Sequence, residues 1–244
     1  KLIITEVGKK VYDQCVIMVN SAQQAVEISS VEHTEPAGSI IVAAPEAFLN
    51  VVLQPFVVPF LKQYPQIQLK LGAIDGAIDI FKYGIDIAFL LTDKPNENLV
   101  LKEIGKTNLV LCASPDYLKQ KSIPSHPQQL KDHDCLYLAE DETDHLWDFV
   151  KDDQFHTVAV SGRYAVNHSQ MRLNGVINGL GIGIFPDFVV QEALTKGDVI
   201  EVLGDWTIKS NYQGVIALQY AQTKYMPTRL RVFIDYAMEH FPIN

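Results

Sequence analysis

The chain has 244 residues, 48% hydrophobic and 20% charged, which suits one large globular domain or two small ones with a substantial core. Twenty-nine acidic residues against 20 basic give a formal charge of −9, which argues against this chain holding nucleic acid by itself, because phosphate contact depends on clustered Lys and Arg. No apolar run of about 18 residues suggests a membrane helix, no signal peptide is visible at the N-terminus, and Cys15, Cys112 and Cys135 are so widely spaced that they read as free thiols of a reducing compartment.

Residues 6–30 read as one long amphipathic helix. Val7, Val11, Cys15, Met18, Ala22 and Ala25 form a seam of coiled-coil spacing, with Lys9, Lys10, Asp13, Gln14 and Glu27 mostly on the other face. A lone helix of this kind is marginal in water, so a dimerising helix is favoured over an ordinary surface helix. Residues 31–38 are polar with Pro36 and Gly38, and read as a hinge or linker.

Ser39–Ala44 is a buried strand broken at Pro45, and Glu46–Asn50 reads as a turn before a helix that ends near Tyr64, with Pro55 and Pro59 crowding its first turns. Ile67, Leu69 and Leu71 alternate as a half-buried strand. Ile74–Tyr83 reads as a short helix with Ile78 and Phe81 inward, closed by Gly84, before the buried strand Ile85–Leu91. Strand, helix, strand, helix, strand implies a parallel sheet. Leu99–Ile104 and Asn108–Ala113 are apolar strands, and Ser114-Pro115 starts a short helix. Cys135–Ala139 and Phe155–Val160 read as strands with the acidic stretch Glu140–Asp144 between them. Helix Pro186–Leu194, strands Val199–Leu203 and Gly214–Leu218, and helix Pro227–Phe241, with Leu230, Phe233, Ile234 and Ala237 inward, complete the chain.

The stretch Ala165–Phe188 organises the rest: strand end, polar cap, helix, glycine turn, strand, turn, helix. Asn167 with Gln170 three residues later reads as a capping box, and the glycines at 179, 181 and 183 end the helix and let the chain turn tightly. A helix start presents unpaired N–H groups, so a small anion would sit well against Asn167–Ser169; the plainer reading is that Asn167 and Ser169 only cap the helix. GLGIGIF runs helix, glycines, strand, the reverse of a dinucleotide fingerprint.

Seven histidines show no HExxH, no Cys-x-x-Cys accompanies them, and neither a G-x-S-x-G elbow nor a P-loop is present. Asp75, Asp79 and Asp86 read as solvated or capping residues. No enzyme activity, metal or cofactor is therefore expected. What remains is a cleft: Ala44-Pro45-Glu46 and Asn167-His168-Ser169 lie at strand ends, where open α/β sheets bind ligands, and two such edges across a hinge make a clamshell.

As a whole the chain resembles a LysR-type transcriptional regulator without its winged helix-turn-helix. The likeness rests on Ile4-Thr5-Glu6-Val7-Gly8 and the helix after it, Gly38–Pro45, FLKQYP at 60–65, Asp86-Ile87-Ala88, LCASPDYL at 111–118, His126-Pro127 through His133, Cys135-Leu136, Trp147, Phe149, Asn167, and Gly179–Pro186. The resemblance implies an α/β fold of two Rossmann-like subdomains joined by two crossover strands, as in periplasmic binding proteins, preceded by a long linker helix. It implies a linker and dimerisation helix at 1–34 and an effector-binding domain at 35–244, with one subdomain at about 37–112 plus 215–244 and the other at about 113–214.

By the same resemblance, a small and often anionic effector lies between Ala44, Pro45, Glu46, Phe48, Ile74 and Leu90 on one side and Asn167, His168, Ser169, Phe185 and Pro186 on the other, with Cys112 near the hinge. Many members carry Ser or Thr at the end of the first strand, where Ala44-Pro45-Glu46 offers a carboxylate instead. His168 close to an anion would favour its binding at lower pH. Cys112 is expected to be a buried, unreactive thiol. The implied partners are the effector, a homodimer or homotetramer, and DNA only through residues upstream of Lys1; no membrane contact is implied, and the location is cytoplasmic. The alternative is a free-standing solute-binding protein serving a transporter, for which a projecting dimer helix has no use.

Overall fold

The computed structural model describes residues 5–29, 35–76, 79–91, 99–210, 212–223 and 226–241. Helix α1 (Glu6–Ser29) begins where the Thr5 hydroxyl accepts the Gly8 N–H at 3.1 Å, satisfying one of the unpaired donors of a helix start. Val7, Val11, Cys15, Met18 and Ala22 of the expected seam stand exposed on it; the side chain of Ala25 lies outside the described residues.

The first lobe runs β1 (Gly38–Ala44), α2 (Glu46–Phe48), a π-helical turn (Leu49–Leu53), α3 (Gln54–Gln63), β2 (Ile67–Ala73), α4 (Ile80–Tyr83), β3 (Ile87–Leu91) and β4 (Leu99–Thr107). Residues 46–50, expected to be a turn, are helical. Pro55 and Pro59 have no N–H to bond back along the helix, and the wider π turn lies just ahead of Pro55. The expected helix at 74–83 shrinks to α4, because the Asp79 carboxylate caps it by accepting the Lys82 N–H at 3.0 Å. Ile80, not Phe81, is the buried residue of α4; Phe81 is 64% exposed, and Ile78 lies outside the described residues.

The second lobe runs β5 (Leu109–Ala113), α5 (Pro115–Lys121), a 3₁₀ turn (Pro127–Asp132), β6 (Cys135–Leu136), β7 (Leu146–Lys151), β8 (Gln154–Ala159), α6 (Ser169–Ile177), β9 (Ile182–Pro186), α7 (Asp187–Lys196), β10 (Ile200–Glu201) and β11 (Thr207–Lys209). The chain then returns to the first lobe as β12 (Gly214–Ala221) and α8 (Thr228–His240). The first sheet has the order β2-β1-β3-β12-β4, with β1 parallel to β2 and β3 and with β12 antiparallel to both its neighbours. The second has the order β10-β5-β9-β6, and β11-β7-β8 form a separate antiparallel ribbon. The passage between lobes falls at Asn108, so residue 112, the expected boundary, lies inside β5 of the second sheet.

Each lobe has its own interior. In the first, Phe48, Phe56, Phe60, Phe89, Phe233 and Tyr236 pack α3 and α8 against the sheet, with Phe48 and Phe89 centroids 5.1 Å apart. In the second, Leu111, Ala113 and Ile182 face one cluster and Cys112, Val176 and Phe185 another, so the sheet is covered on both sides. Gly181, with φ +156°, explains the tight passage into β9: a Cβ there would lie 2.1 Å from the Asp134 carbonyl oxygen.

Candidate functional site

A cavity of about 510 Å³ opens between the lobes. Pro45, Glu46 and Asp75 line it from the first lobe, and Asn167, Ser169 and Arg172 from the second. Glu46, the first residue of α2, reaches across it. One carboxylate oxygen accepts the Ser169 N–H at 3.0 Å and the Ser169 hydroxyl at 2.8 Å; the other accepts the Asn50 amide and lies 3.4 Å from His168 Nδ1. The anion at the start of α6 is thus the chain's own. The expected Asn167–Gln170 capping box does not form: α6 begins at Ser169, His168 precedes it without a capping side-chain bond, and Glu46 takes the cap's place. His168 faces that carboxylate from the residue just before α6.

Arg172 lies one helical turn beyond Ser169, on the same face of α6. It is only 4% exposed; Nη2 donates to the Ile184 carbonyl at 3.0 Å, and the guanidinium stands 4.8 Å over the Phe185 ring. Burial lowers its pKa to about 10, opposed by Glu140, Tyr212, Asp144 and Glu46, so it stays charged at neutral pH. Asp75 accepts the Glu46 N–H at 3.3 Å, and its own pKa is raised, first by partial burial and then by Glu140 and Glu46. The Tyr212 hydroxyl donates to Glu140, and burial followed by that carboxylate pushes the phenol pKa up.

Of the residues expected at the effector, Pro45, Glu46, Asn167, Ser169 and Pro186 line the cavity and His168 stands beside Glu46. Ala44, Phe48, Cys112 and Phe185 are instead fully buried beneath it, because they belong to the strand and helix interiors. Ile74 and Leu90 pack with Ala43 and Ile80 on the other side of the first sheet. Sequence reasoning missed Asp75, Glu140, Asp144, Arg172 and Tyr212. The one local signal was the spacing of Ser169 and Arg172, which share a helix face. Burial pushes the thiols of Cys112 and Cys135 up to about 12, which leaves both unreactive as nucleophiles at neutral pH.

The family model described as "LysR substrate binding domain" matches residues 33–242. The chain belongs to the LysR-type transcriptional regulator family. It is 36% identical to the "Probable HTH-type transcriptional regulator LtrA" of Klebsiella pneumoniae over 99% of this chain and 78% of that protein. The full-length structure of AphB, the virulence activator of Vibrio cholerae, matches with a TM-score of 0.76 at 25% identity, covering 98% of this chain and 81% of that one. The regulatory domain of CrgA from Neisseria meningitidis matches with a TM-score of 0.72 at 26% identity, covering 84% of this chain and all of that one. The two lobes with two crossings are therefore the effector-binding fold of a LysR-type regulator, and the solute-receptor alternative gives way to it. Among the described residues no helix is long and apolar enough to cross a membrane.

Proposed function

We propose that this chain senses a small molecule in the cleft and passes the result, through a dimer or tetramer built on α1, to DNA held by a segment N-terminal to Lys1. In this reading residues 1–34 couple protomers, residues 35–244 bind the effector, no reaction is catalysed, and the protein works in the cytoplasm. The observation that carries it is the Glu46–Ser169 bridge across a cavity of about 510 Å³: a carboxylate of one lobe caps a helix of the other, so a ligand competing for that cap changes how the lobes meet. The exposed row Val7, Val11, Cys15 and Met18 supports the coupling role.

A thermal-shift screen of small metabolites tests the sensing role, since a ligand preferring the native state raises the melting temperature. Light scattering tests the coupling role: the chain is expected to be a dimer or tetramer, and Met18→Glu on the seam to shift it towards monomer. A wild-type monomer at every concentration would reject α1 as the coupling element.

A further inference from the structure

Resting on the reading of the cleft as an effector site, we propose that its ligand is a small zwitterion resembling an α-amino acid. Its carboxylate takes the donors of α6, at Ser169 and Arg172, and its ammonium group takes the acidic wall at Asp75 and Glu140.

Two features of the cavity lining carry this. The donor wall is under-used. Arg172 is nine-tenths buried and lines the cavity, yet its Nε and Nη1 bond no partner among the described residues. A buried charged donor left unpaired is unfavourable, and an acceptor from a ligand relieves it. The carboxylates that pull electrostatically on Arg172, Glu140, Asp144 and Glu46, all line the same cavity. Glu46 already shows that a carboxylate fits the neighbouring Ser169 N–H and hydroxyl. A ligand carboxylate that displaces Glu46 keeps those two bonds and adds Arg172.

The rest of the lining has the opposite chemistry. Among the described residues, Glu46 and Asp75 of the first lobe and Glu140, Asp141, Asp144 and Asp148 of the second line the cavity, against Arg172 and Lys209 as its only Lys or Arg. Asp75 accepts the Glu46 N–H at 3.3 Å, and Glu140 and Glu46 both raise its pKa, so both carboxylates lie within electrostatic reach of Asp75. A plain carboxylate or dicarboxylate entering there meets repulsion from these groups. A plain amine leaves the Arg172 donors unpaired. A molecule with both charges a few bonds apart answers both features.

The test uses the full chain and three matched sets: the protein L-amino acids, their decarboxylated amines, and their 2-hydroxy acids, read by thermal shift and calorimetry. The expected result is an L-amino acid that raises the melting temperature while its amine and its hydroxy acid bind about tenfold or more weakly. Asp75→Asn and Glu140→Gln, each near-isosteric and checked for an unchanged fold by circular dichroism, should each narrow the gap between amino acid and hydroxy acid; a gap that both leave intact overturns the assignment of the acidic wall. A hydroxy acid or amine that binds as well as its parent overturns the zwitterion and leaves the effector reading standing. So does silence from all three sets when the wider metabolite screen yields a ligand. Silence from the three sets and from that screen overturns both.

Discussion

Two carboxylates cross between the lobes of this protein with nearly the same chemistry and opposite surroundings. At the crossover, Asp187 accepts the Thr107 hydroxyl at 2.6 Å and the Asn108 N–H at 3.1 Å, while its own N–H donates to the Asn108 carbonyl at 2.9 Å. At the mouth, Glu46 accepts a hydroxyl and an N–H from Ser169. Each carboxylate is the first residue of a helix that follows a proline, Pro186 in one lobe and Pro45 in the other. The difference is what lies around them. Thr107 is 1% exposed and sits where the chain itself passes between sheets, so among the described residues its hydroxyl meets Asp187 and the Asn108 carbonyl. Ser169 borders an open cavity, where water or a ligand group can replace Glu46. The same two bonds make a pin in one place and a releasable clasp in the other.

Breaking the pin has the larger effect. Asp187→Ala strands a buried hydroxyl and a crossover N–H, and should lower stability by about 2 kcal/mol, read as a fall in the urea midpoint without a change in slope. Glu46→Ala should cost less, about 1 kcal/mol or below, because Ser169 turns to water in the cavity. The same change vacates the cap of α6, so any carboxylate-bearing ligand found in the metabolite screen should bind more tightly to Glu46→Ala by calorimetry. If Glu46→Ala destabilises as much as Asp187→Ala and leaves ligand affinity unmoved, both contacts are pins and the distinction fails.

Much of the frame was legible along the chain. The apolar runs at 39–44 and 85–91 became β1 and β3, and Phe233, Ile234 and Ala237 face the core from α8 as their spacing implies. Strand β7 was not legible: Trp147 and Phe149 are its buried residues, but Asp148 and the acidic stretch before it mask so short an alternation. The glycine turn could be read at Gly181, yet the Asp134 carbonyl that demands a glycine there lies 47 positions back in the chain. The clasp was hidden for the same reason. Glu46 and Ser169 stand 123 residues apart, and no local pattern records that one lobe caps the other. Glu46 was visible as a departure from the family pattern, but its partner was not.

The mouth differs from the crossover in one further respect, and this sets the smallest effect. The Asp75 carboxyl has a pKa raised above its ordinary value by partial burial and by Glu140 and Glu46. The folded chain therefore holds that proton more tightly than the unfolded chain does. The resulting stabilisation is complete below the ordinary carboxyl range and is lost as pH rises through the raised value. Once ionised above that raised value, Asp75 stands among like charges, whereas Asp75→Asn keeps an oxygen to accept the Glu46 N–H without that charge. Asp75→Asn should thus melt slightly higher than wild type at pH 7, and the gain should shrink and vanish as the pH is lowered into the carboxyl range. No comparable gain is expected from Asp187→Asn, whose carboxylate is matched to its donors. A variant at position 75 that melts lower at pH 7, or whose gain ignores pH, would mean that the acidic wall is not held against its own repulsion.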